Sequence, residues 1–577
     1  MRKFICQFVK ILTLAVSLCV SINAFAADTP AIFGVGFTNI TDNSVKIVFT
    51  TLEQTTGTVE LKIGNTVAKQ VTENDASEIH RIDVNGLTPG TTYAVAIHAT
   101  TAGGVTGDAT GFTFTAKAHP ANIDRFAGKM LFGIGGAERC EEAFMQIGAG
   151  TTRLGASWDW IEPRPGQINR DYLNKLVGLV DRCLQAGVTP VILLGYGNDW
   201  AQRYTKQQVK YRHIHFGPPD AVQDWKNYVR LVMQTLKGKA VYYEVWNEPD
   251  AGYLADGKPV ERQVDGVQPT KSVFINNDEY WLGDRYMPLV IATREVADEV
   301  DPGIKILGGS WNHDYHATRG TICFNRGMKN YIQQYCFHNY AGSPQSYARW
   351  EYWTDNRYFT YVDKLLAKND ARMPIVISEY GLETYDEGKR PQNSGFSSRR
   401  DGQLFAIKSA FYYLSKQCVS MVIYFTLTGT QAWNLVDLNT NGEPTYYPAY
   451  YSYQWVCKTF NNQPYTCLPV TTDAGKDVRA YAVKLAKENT TYLACWQQAY
   501  NDVQNTVVPQ PTRTVNMQVS GLENGAYTID ELDVTGKVLR STQLTVNGPW
   551  KVTISLPEST TERESELVLY RLTKTTK

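Results

Sequence analysis

Residues 374–381 read Pro374-Ile375-Val376-Ile377-Ser378-Glu379-Tyr380-Gly381, an apolar run of strand length that ends on a carboxylate. A short apolar run without alternation is how a strand covered on both faces reads, as in parallel sheets flanked by helices. Seven more runs of this kind occur: Met130–Ile134, Thr152–Leu154, Thr189–Leu194, Val241–Val245, Lys305–Leu307, Cys336–His338 and Met421–Phe425. Amphipathic stretches such as Asp171–Gln185, Ala221–Leu236 and Asp401–Lys416 lie between them. Eight strand–helix units within residues 126–462 predict a (β/α)8 barrel. A doubly wound open sheet is the alternative, but Gly133-Ile134-Gly135-Gly136 is too short a match to a phosphate-binding loop.

Outward from this segment the pattern changes to short alternating strands. Before it, Val45–Phe49, Val59–Ile63 and Tyr93–Ile97 alternate between turn residues, and a β-sandwich is expected over 28–116. After it, Arg479–Leu485, Thr491–Trp496, Val515–Val519, Tyr527–Val534, Val552–Leu556 and Leu567–Leu572 predict a second β-sandwich over 465–577. Its expected role is packing against the barrel.

At the start of the chain, Arg2, Lys3 and Lys10 precede the apolar stretch Ile11–Ile22 and then Ala24-Phe25-Ala26. This order predicts a cleaved signal peptide over 1–26, and hence a secreted or periplasmic protein. The apolar run is shorter than a bilayer span, and no later segment is long and apolar enough for one. Lys+Arg and Asp+Glu are 57 each, and loss of the leader takes the balance to −3, so nothing marks nucleic acid as a partner. Outside the leader, eight cysteines remain without a CxxC pair, which gives no support to a zinc cluster; Cys457 and Cys467 are the best candidates for a disulfide. Asp437-Leu438-Asn439-Thr440-Asn441-Gly442 starts like a calcium loop, but Pro448 stands where the bidentate Glu belongs, so a turn is expected. His213-Ile214-His215 lacks a third ligand nearby. Neither a metal nor a cofactor is expected.

In a (β/α)8 barrel the catalytic residues project from the carboxyl ends of the strands. The fourth run ends Tyr243-Glu244-Val245-Trp246-Asn247-Glu248-Pro249-Asp250, and the seventh ends on Glu379. Both therefore bring a carboxylate to the same end of the barrel. Two facing carboxyls are what glycoside hydrolysis requires: one protonates the leaving oxygen while the other attacks the anomeric carbon or activates water. Aromatic residues follow several runs, namely Trp158 and Trp160, Trp200, Trp311 and Trp433. Flat aromatic faces stack on the C–H faces of pyranose rings, and Trp158, Trp200 and Trp433 are the candidate platforms.

Trp246-Asn247-Glu248-Pro249 resembles the acid/base motif of clan A retaining glycoside hydrolases, and Ser378-Glu379-Tyr380-Gly381 resembles their nucleophile motif, in the same strand order. The resemblance implies Glu248 as acid/base and Glu379 as nucleophile of a double displacement on β-linked poly- or oligosaccharides. It implies that Asn247 bonds the sugar 2-hydroxyl, that Tyr340 steadies the nucleophile and that Arg153 lies beside it. His338 is a further candidate for the substrate site, and Trp433 resembles the platform under the reacting sugar. Retention would place the carboxyls ~5–5.5 Å apart, and ionised Glu379 is then expected to raise the proton affinity of Glu248. Gly155-Ala156-Ser157-Trp158 through Glu162-Pro163-Arg164-Pro165-Gly166, with the C-terminal sandwich, looks most like glycoside hydrolase family 39, with family 5 close behind. Leu87-Thr88-Pro89-Gly90-Thr91-Thr92-Tyr93 resembles the tyrosine corner of fibronectin type III domains, in which the Tyr hydroxyl bonds back to the backbone. Two other readings keep the barrel: a transglycosylase, and a carbohydrate-binding protein without activity. The second predicts the loss of a catalytic carboxylate, and both are present.

Overall fold

The computed structural model describes residues 29–38, 40, 43–116, 128–201, 221–252, 279–312, 314–341, 350–371, 373–386, 397–429, 431–474, 477–486, 488–498, 500–501, 506–559 and 565–575. The leader and the His213-Ile214-His215 stretch lie outside the described residues. Two compact units divide at Ala121/Asn122.

In the first unit the two alternating runs at Val45 and Val59 belong to one strand, Ser44–Ile63, which buries odd-numbered residues in both halves and exposes 52–54 between them. Its first half pairs with Ile32–Thr38 and Ser77–Asn85, and its second half with Thr66–Thr72 and Thr92–Thr101. Val45, Ile47 and Phe49 from one half meet Val59, Leu61 and Tyr93 in a single core, so the strand passes from one layer to the other. The Thr88 amide donates to the Tyr93 hydroxyl at 2.7 Å, which pins the turn before Thr92–Thr101.

The second unit holds the barrel. Its strands are β1 (Leu131–Ile134), β2 (Thr151–Ser157), β3 (Thr189–Gly195), β4 (Tyr242–Val245), β5 (Lys305–Trp311), β6 (Gln334–Ala341), β7 (Ile375–Leu382) and β8 (Val419–Tyr424). Each is parallel to the next, and β8 pairs with β1 to close the ring. Every apolar run singled out in the sequence contributes one strand. Inside the ring Leu131, Val191, Tyr242, Leu307, Cys336, Val376, Met421 and Ile423 form a separate apolar plug, while the outer faces pack on helices such as Arg170–Gln185, Val222–Thr235 and Arg399–Lys416. The barrel is thus a filled core rather than a pore.

The C-terminal part is a six-stranded antiparallel sheet facing a three-stranded one, Val470–Thr472, Arg513–Val519 and Trp550–Leu556. It is joined tightly to the barrel. Lys408, buried in the helix before β8, donates to the Ser565 carbonyl at 2.8 Å, and Arg479 pairs with Glu351 at 2.9 Å. The expected Cys457–Cys467 disulfide does not form: Cys457 is a buried thiol, and the Cys467 thiol donates to the Leu414 carbonyl at 3.4 Å. Residues 437–442 form the expected turn, with the Asn439 side chain accepting from the Asn441 and Glu443 amides. Among the described residues no helix is long and apolar enough to cross a membrane.

Candidate active site

Above the apolar plug, at the carboxyl ends of the strands, the barrel interior turns polar. Arg153 stands on β2, Glu244 on β4, Ser310 on β5, His338 on β6 and Glu379 on β7. Three of the strand pairings shift register at this level, between Gly309 and Trp311, Phe337 and His338, and Ile377 and Tyr380. Such bulges re-aim side chains and collect near active sites. Gly309, at φ +112°, allows the first, since a Cβ there would meet the Cys336 carbonyl oxygen at 2.3 Å. Trp246, Glu248 and Ser310 also adopt left-handed φ angles of 66°, 46° and 52°. The Glu248 amide donates to the Ser310 carbonyl at 3.0 Å, which holds the strained turn after β4 against β5.

Arg153 is the hub. It donates through Nε to Glu244 Oε2 at 2.5 Å, through Nη1 to Glu379 Oε1 at 2.5 Å and through Nη2 to Asn247 Oδ1 at 2.7 Å. Burial works against its charge, yet Glu244 and Glu379 outweigh that cost and push its pKa up. Glu379 accepts from the Tyr340 hydroxyl on its other oxygen. Phenol and guanidinium together fix this carboxylate in one orientation, with only 11% of its side chain exposed. Burial and the neighbouring Glu379 drive the Tyr340 pKa well up, so it remains a donor. Trp433 packs edge-on against the Tyr340 ring, centroids 4.8 Å apart. Gly381 makes room for it, since a Cβ there would lie 3.2 Å from the indole.

Glu248 is held differently. Its Oε1 accepts from Asn312 Nδ2 at 2.7 Å and from His338 Nδ1 at 2.8 Å. The same His338 nitrogen lies 3.5 Å from Glu379 Oε2. Facing ligand atoms of Glu248, His338 and Glu379 all fall within 4.8 Å of one another, so the two carboxyls are close neighbours. Burial pulls the His338 pKa down, but Glu379 and Glu248 more than offset it and the net direction is up. Burial likewise acts to raise the Glu248 carboxyl, but the hydrogen bond and charge of His338, with Asn312, carry it below the usual range. This reverses the sequence expectation. A cation stands between the carboxylates, so Glu379 does not dictate the proton affinity of Glu248.

The structure therefore brings Glu248, Glu379, Asn247, Arg153, His338, Tyr340 and Trp433 into one cluster. His338, expected among substrate contacts, is fully buried and committed to the two carboxylates. Trp158 is also fully buried: its indole N–H donates to Glu162 Oε2 at 3.0 Å, and its ring stacks on Tyr228. It is core rather than a sugar surface. Two residues on along the same helical turn, Trp160 points to solvent with 61% exposure, as positions i and i+2 of a helix must diverge. Trp200 packs edge-on against Trp158 and donates to the Glu162 carbonyl at 2.9 Å. Trp311 is buried with its N–H on Tyr335.

Four members were not assigned from sequence. Glu244 and Ser310 complete the inner layer, with Ser310 Oγ donating to Glu244 Oε1 at 2.6 Å. Tyr196, just past β3, bonds the Asn247 side chain. Asn312, just past β5, holds Glu248. Glu244 was legible in principle: a charge inside an apolar strand needs a buried partner, and Arg153 is the matching charge in another strand.

Glu248, His338 and Glu379 are also the set that could offer ligand atoms to a metal ion. The facing Oε1 of Glu248 already takes two donors and Glu379 is ion-paired to Arg153, so an ion there would displace the His338 proton and sit beside a guanidinium. The donor set fits a hydrogen-bonded carboxylate pair better than a metal centre.

A filled eight-stranded parallel barrel with two clamped carboxyls at its carboxyl end defines the class of site. No family model matches the sequence, and no curated protein matches it. Solved structures do. A family 39 glycoside hydrolase from the gut symbiont Bacteroides cellulosilyticus WH2 is similar at 14% identity and TM-score 0.49, over 94% of this chain and 100% of that one. A family 39 enzyme from Xanthomonas axonopodis pv. citri is similar at 15% identity and TM-score 0.46, over 78% and 95%. A β-glucosidase from Thermotoga maritima in complex with deoxynojirimycin is similar at 13% identity and TM-score 0.38, over 56% and 85%. The fold rests on its own strand order, and the site on its own geometry.

Proposed function

We propose that the protein is an exported retaining β-glycoside hydrolase of the clan A type, akin to family 39, acting on β-linked poly- or oligosaccharides. The observation that carries this reading is the pair Glu248 and Glu379, within 4.8 Å and held by different partners. A separation of ~5–5.5 Å suits a nucleophile and an acid/base, whereas inversion needs ~6.5–9.5 Å to seat a water between them.

Each clamp suits its residue. Arg153 and Tyr340 keep Glu379 ionised and aimed, as a nucleophile must be. In the first step a Glu379 oxygen bonds to the anomeric carbon while the glycosidic C–O bond breaks, and the departing oxygen takes its electron pair together with a proton from Glu248. In the second step Glu248 takes a proton from water, whose oxygen replaces Glu379 and restores the β configuration. The acid needs a proton that the free site holds on His338, 2.8 Å from Glu248. A neutral sugar filling the mouth excludes water and penalises the ion pair, which favours a neutral imidazole beside a neutral carboxylic acid. Asn247, held by Arg153 and Tyr196, is placed for the 2-hydroxyl, and Trp433 for the floor beneath the ring. We read residues 1–26 as the export signal and the N-terminal unit as a fibronectin type III-like spacer. The Thr88–Tyr93 bond supports that second reading.

Product release from β-xylan, β-glucan, β-mannan and β-galactan, with wild type and Glu379→Ala side by side, tests the proposal. Initial products of β configuration by NMR, lost in the variant by about 10⁴-fold or more, are expected. Initial α products, or activity that survives Glu379→Ala, would overturn it.

A further inference from the structure

Both hydrogen bonds that reach Glu248 among the described residues end on the same oxygen, Oε1. One comes from His338. The other comes from Asn312, whose own position is fixed by its surroundings. The Asn312 amide donates to Asp250 Oδ1 at 2.9 Å, and Asp250 Oδ2 is paired with Arg319 Nε at 3.1 Å. Asp250 stands two residues past Glu248 on the turn whose Glu248 amide is tied to Ser310. Three bonds thus lace the end of β5 to the turn after β4, and Asn312 Nδ2 is the one that touches the reacting carboxyl.

A neutral carboxylic acid accepts at its carbonyl oxygen and donates from its hydroxyl. Two N–H donors on Oε1 make it the carbonyl-type oxygen, which leaves Oε2 for the proton. Resting on the glycosidase reading above, we infer that Asn312 is a positioning residue for the general acid: with His338 it takes up Oε1, so that Oε2 carries the proton to the glycosidic oxygen. As that bond breaks, its electron pair stays on the leaving oxygen, the Oε2 proton moves to it, and the new charge on Glu248 spreads to Oε1. Both donors then strengthen. An amide donor also favours the ionised form, so Asn312 lowers the pH above which the acid loses its proton.

The test uses the full chain with Asn312→Ala and Asn312→Asp, both checked by thermal melting. Aryl β-xylosides and β-glucosides with 2,4-dinitrophenyl and with 4-methoxyphenyl leaving groups are compared. Dinitrophenolate departs without a proton, whereas methoxyphenolate needs one. For Asn312→Ala, kcat/KM on the methoxyphenyl glycoside falls by about tenfold or more, within the usual reach of general acid catalysis, while the dinitrophenyl glycoside is little affected. The alkaline limb of kcat/KM moves to higher pH, and further for Asn312→Asp, which sets a carboxylate where the amide was. A readout independent of turnover is the ¹³C titration of the Glu248 carboxyl, assigned with Glu248→Gln; it moves up in both variants. Wild type that turns over no glycoside would break the glycosidase reading, and the titration would still decide whether Asn312 tunes Glu248. Equal losses on both leaving groups, with the limb and the carboxyl titration unmoved, would overturn the proposal. If the alanine variant does not fold, the near-isosteric Asp variant carries the same comparison.

Discussion

The same eight strands build two layers that obey different rules. The lower layer, Leu131, Val191, Leu307, Cys336, Val376, Met421 and Ile423, is held by burial alone. A few residues further along, the upper layer sets Glu244, Glu248 and Glu379 against Arg153 and His338. A side chain in the lower layer is one volume among others and can be replaced by another of similar size. A side chain in the upper layer is stable only because its partners are there, since an ion without its counter-ion is costly to bury. With His338 protonated, three carboxylates face two cations. The surplus negative charge lies where an oxocarbenium-like transition state would build positive charge.

The hub gives the largest way to break this contrast. Arg153→Met keeps much of the volume but strands Glu244 and Glu379 as neighbouring carboxylates. We expect a loss of about 3–5 kcal/mol in denaturant unfolding, the usual result of removing one partner of a buried ion pair. Activity should fall in the surviving folded fraction, because Glu379 loses both its aim and its charge partner. A variant as stable as wild type would show that the upper layer is not a mutually dependent set.

The matching change below is Leu307→Ala, three residues before Ser310 on β5. Removing a fully buried leucine side chain should cost about 2–5 kcal/mol, according to how far the plug collapses into the space. The expected signature is lost stability with kcat/KM per folded molecule unchanged. An altered KM or pH profile would mean that the two layers are mechanically coupled and the contrast is too sharp.

Legibility followed the same division. The apolar runs revealed all eight barrel strands, because a doubly covered strand needs nothing but bulk. The motif carboxyls were legible because a strand fixes where its last side chain points. Asn312 and Ser310 were not, since their direction depends on the register shift at Gly309, which no periodicity reports. Trp158 was misread because a tryptophan after a strand faces either the mouth or the wall, and one helical step separates it from exposed Trp160. In the C-terminal sandwich the strand Val538–Val546 escaped notice because nearly all of it is exposed, so it lacks the alternation that marks a half-buried strand.

The smallest effect concerns the proton that links the two carboxyls. His338 has its pKa raised in the fold above an ordinary value of 6.5, against the pull of burial, by Glu379 and Glu248. A raised pKa contributes stability that is fully present below about 6.5 and is lost as pH rises through the folded value. Glu248 and Glu244 have theirs lowered from 4.5: burial opposes this, but His338 and Arg153 respectively prevail. Their contribution is present above about 4.5 and is lost as pH falls through the folded values. Wild type should therefore be most stable between these limits and decline on both sides. One proton can change the slope by no more than about 1.4 kcal/mol per pH unit. His338→Gln removes the titrating group while keeping a donor of similar reach, so denaturant unfolding should show lower stability near pH 6 and a flatter alkaline side. Parallel curves for wild type and variant from pH 6 to 9 would mean that the imidazole is not where the site holds its proton. The lower layer has no titrating group facing the upper one except the Cys336 thiol, whose pKa burial drives well up, so Leu307→Ala should shift the whole curve down without changing its shape.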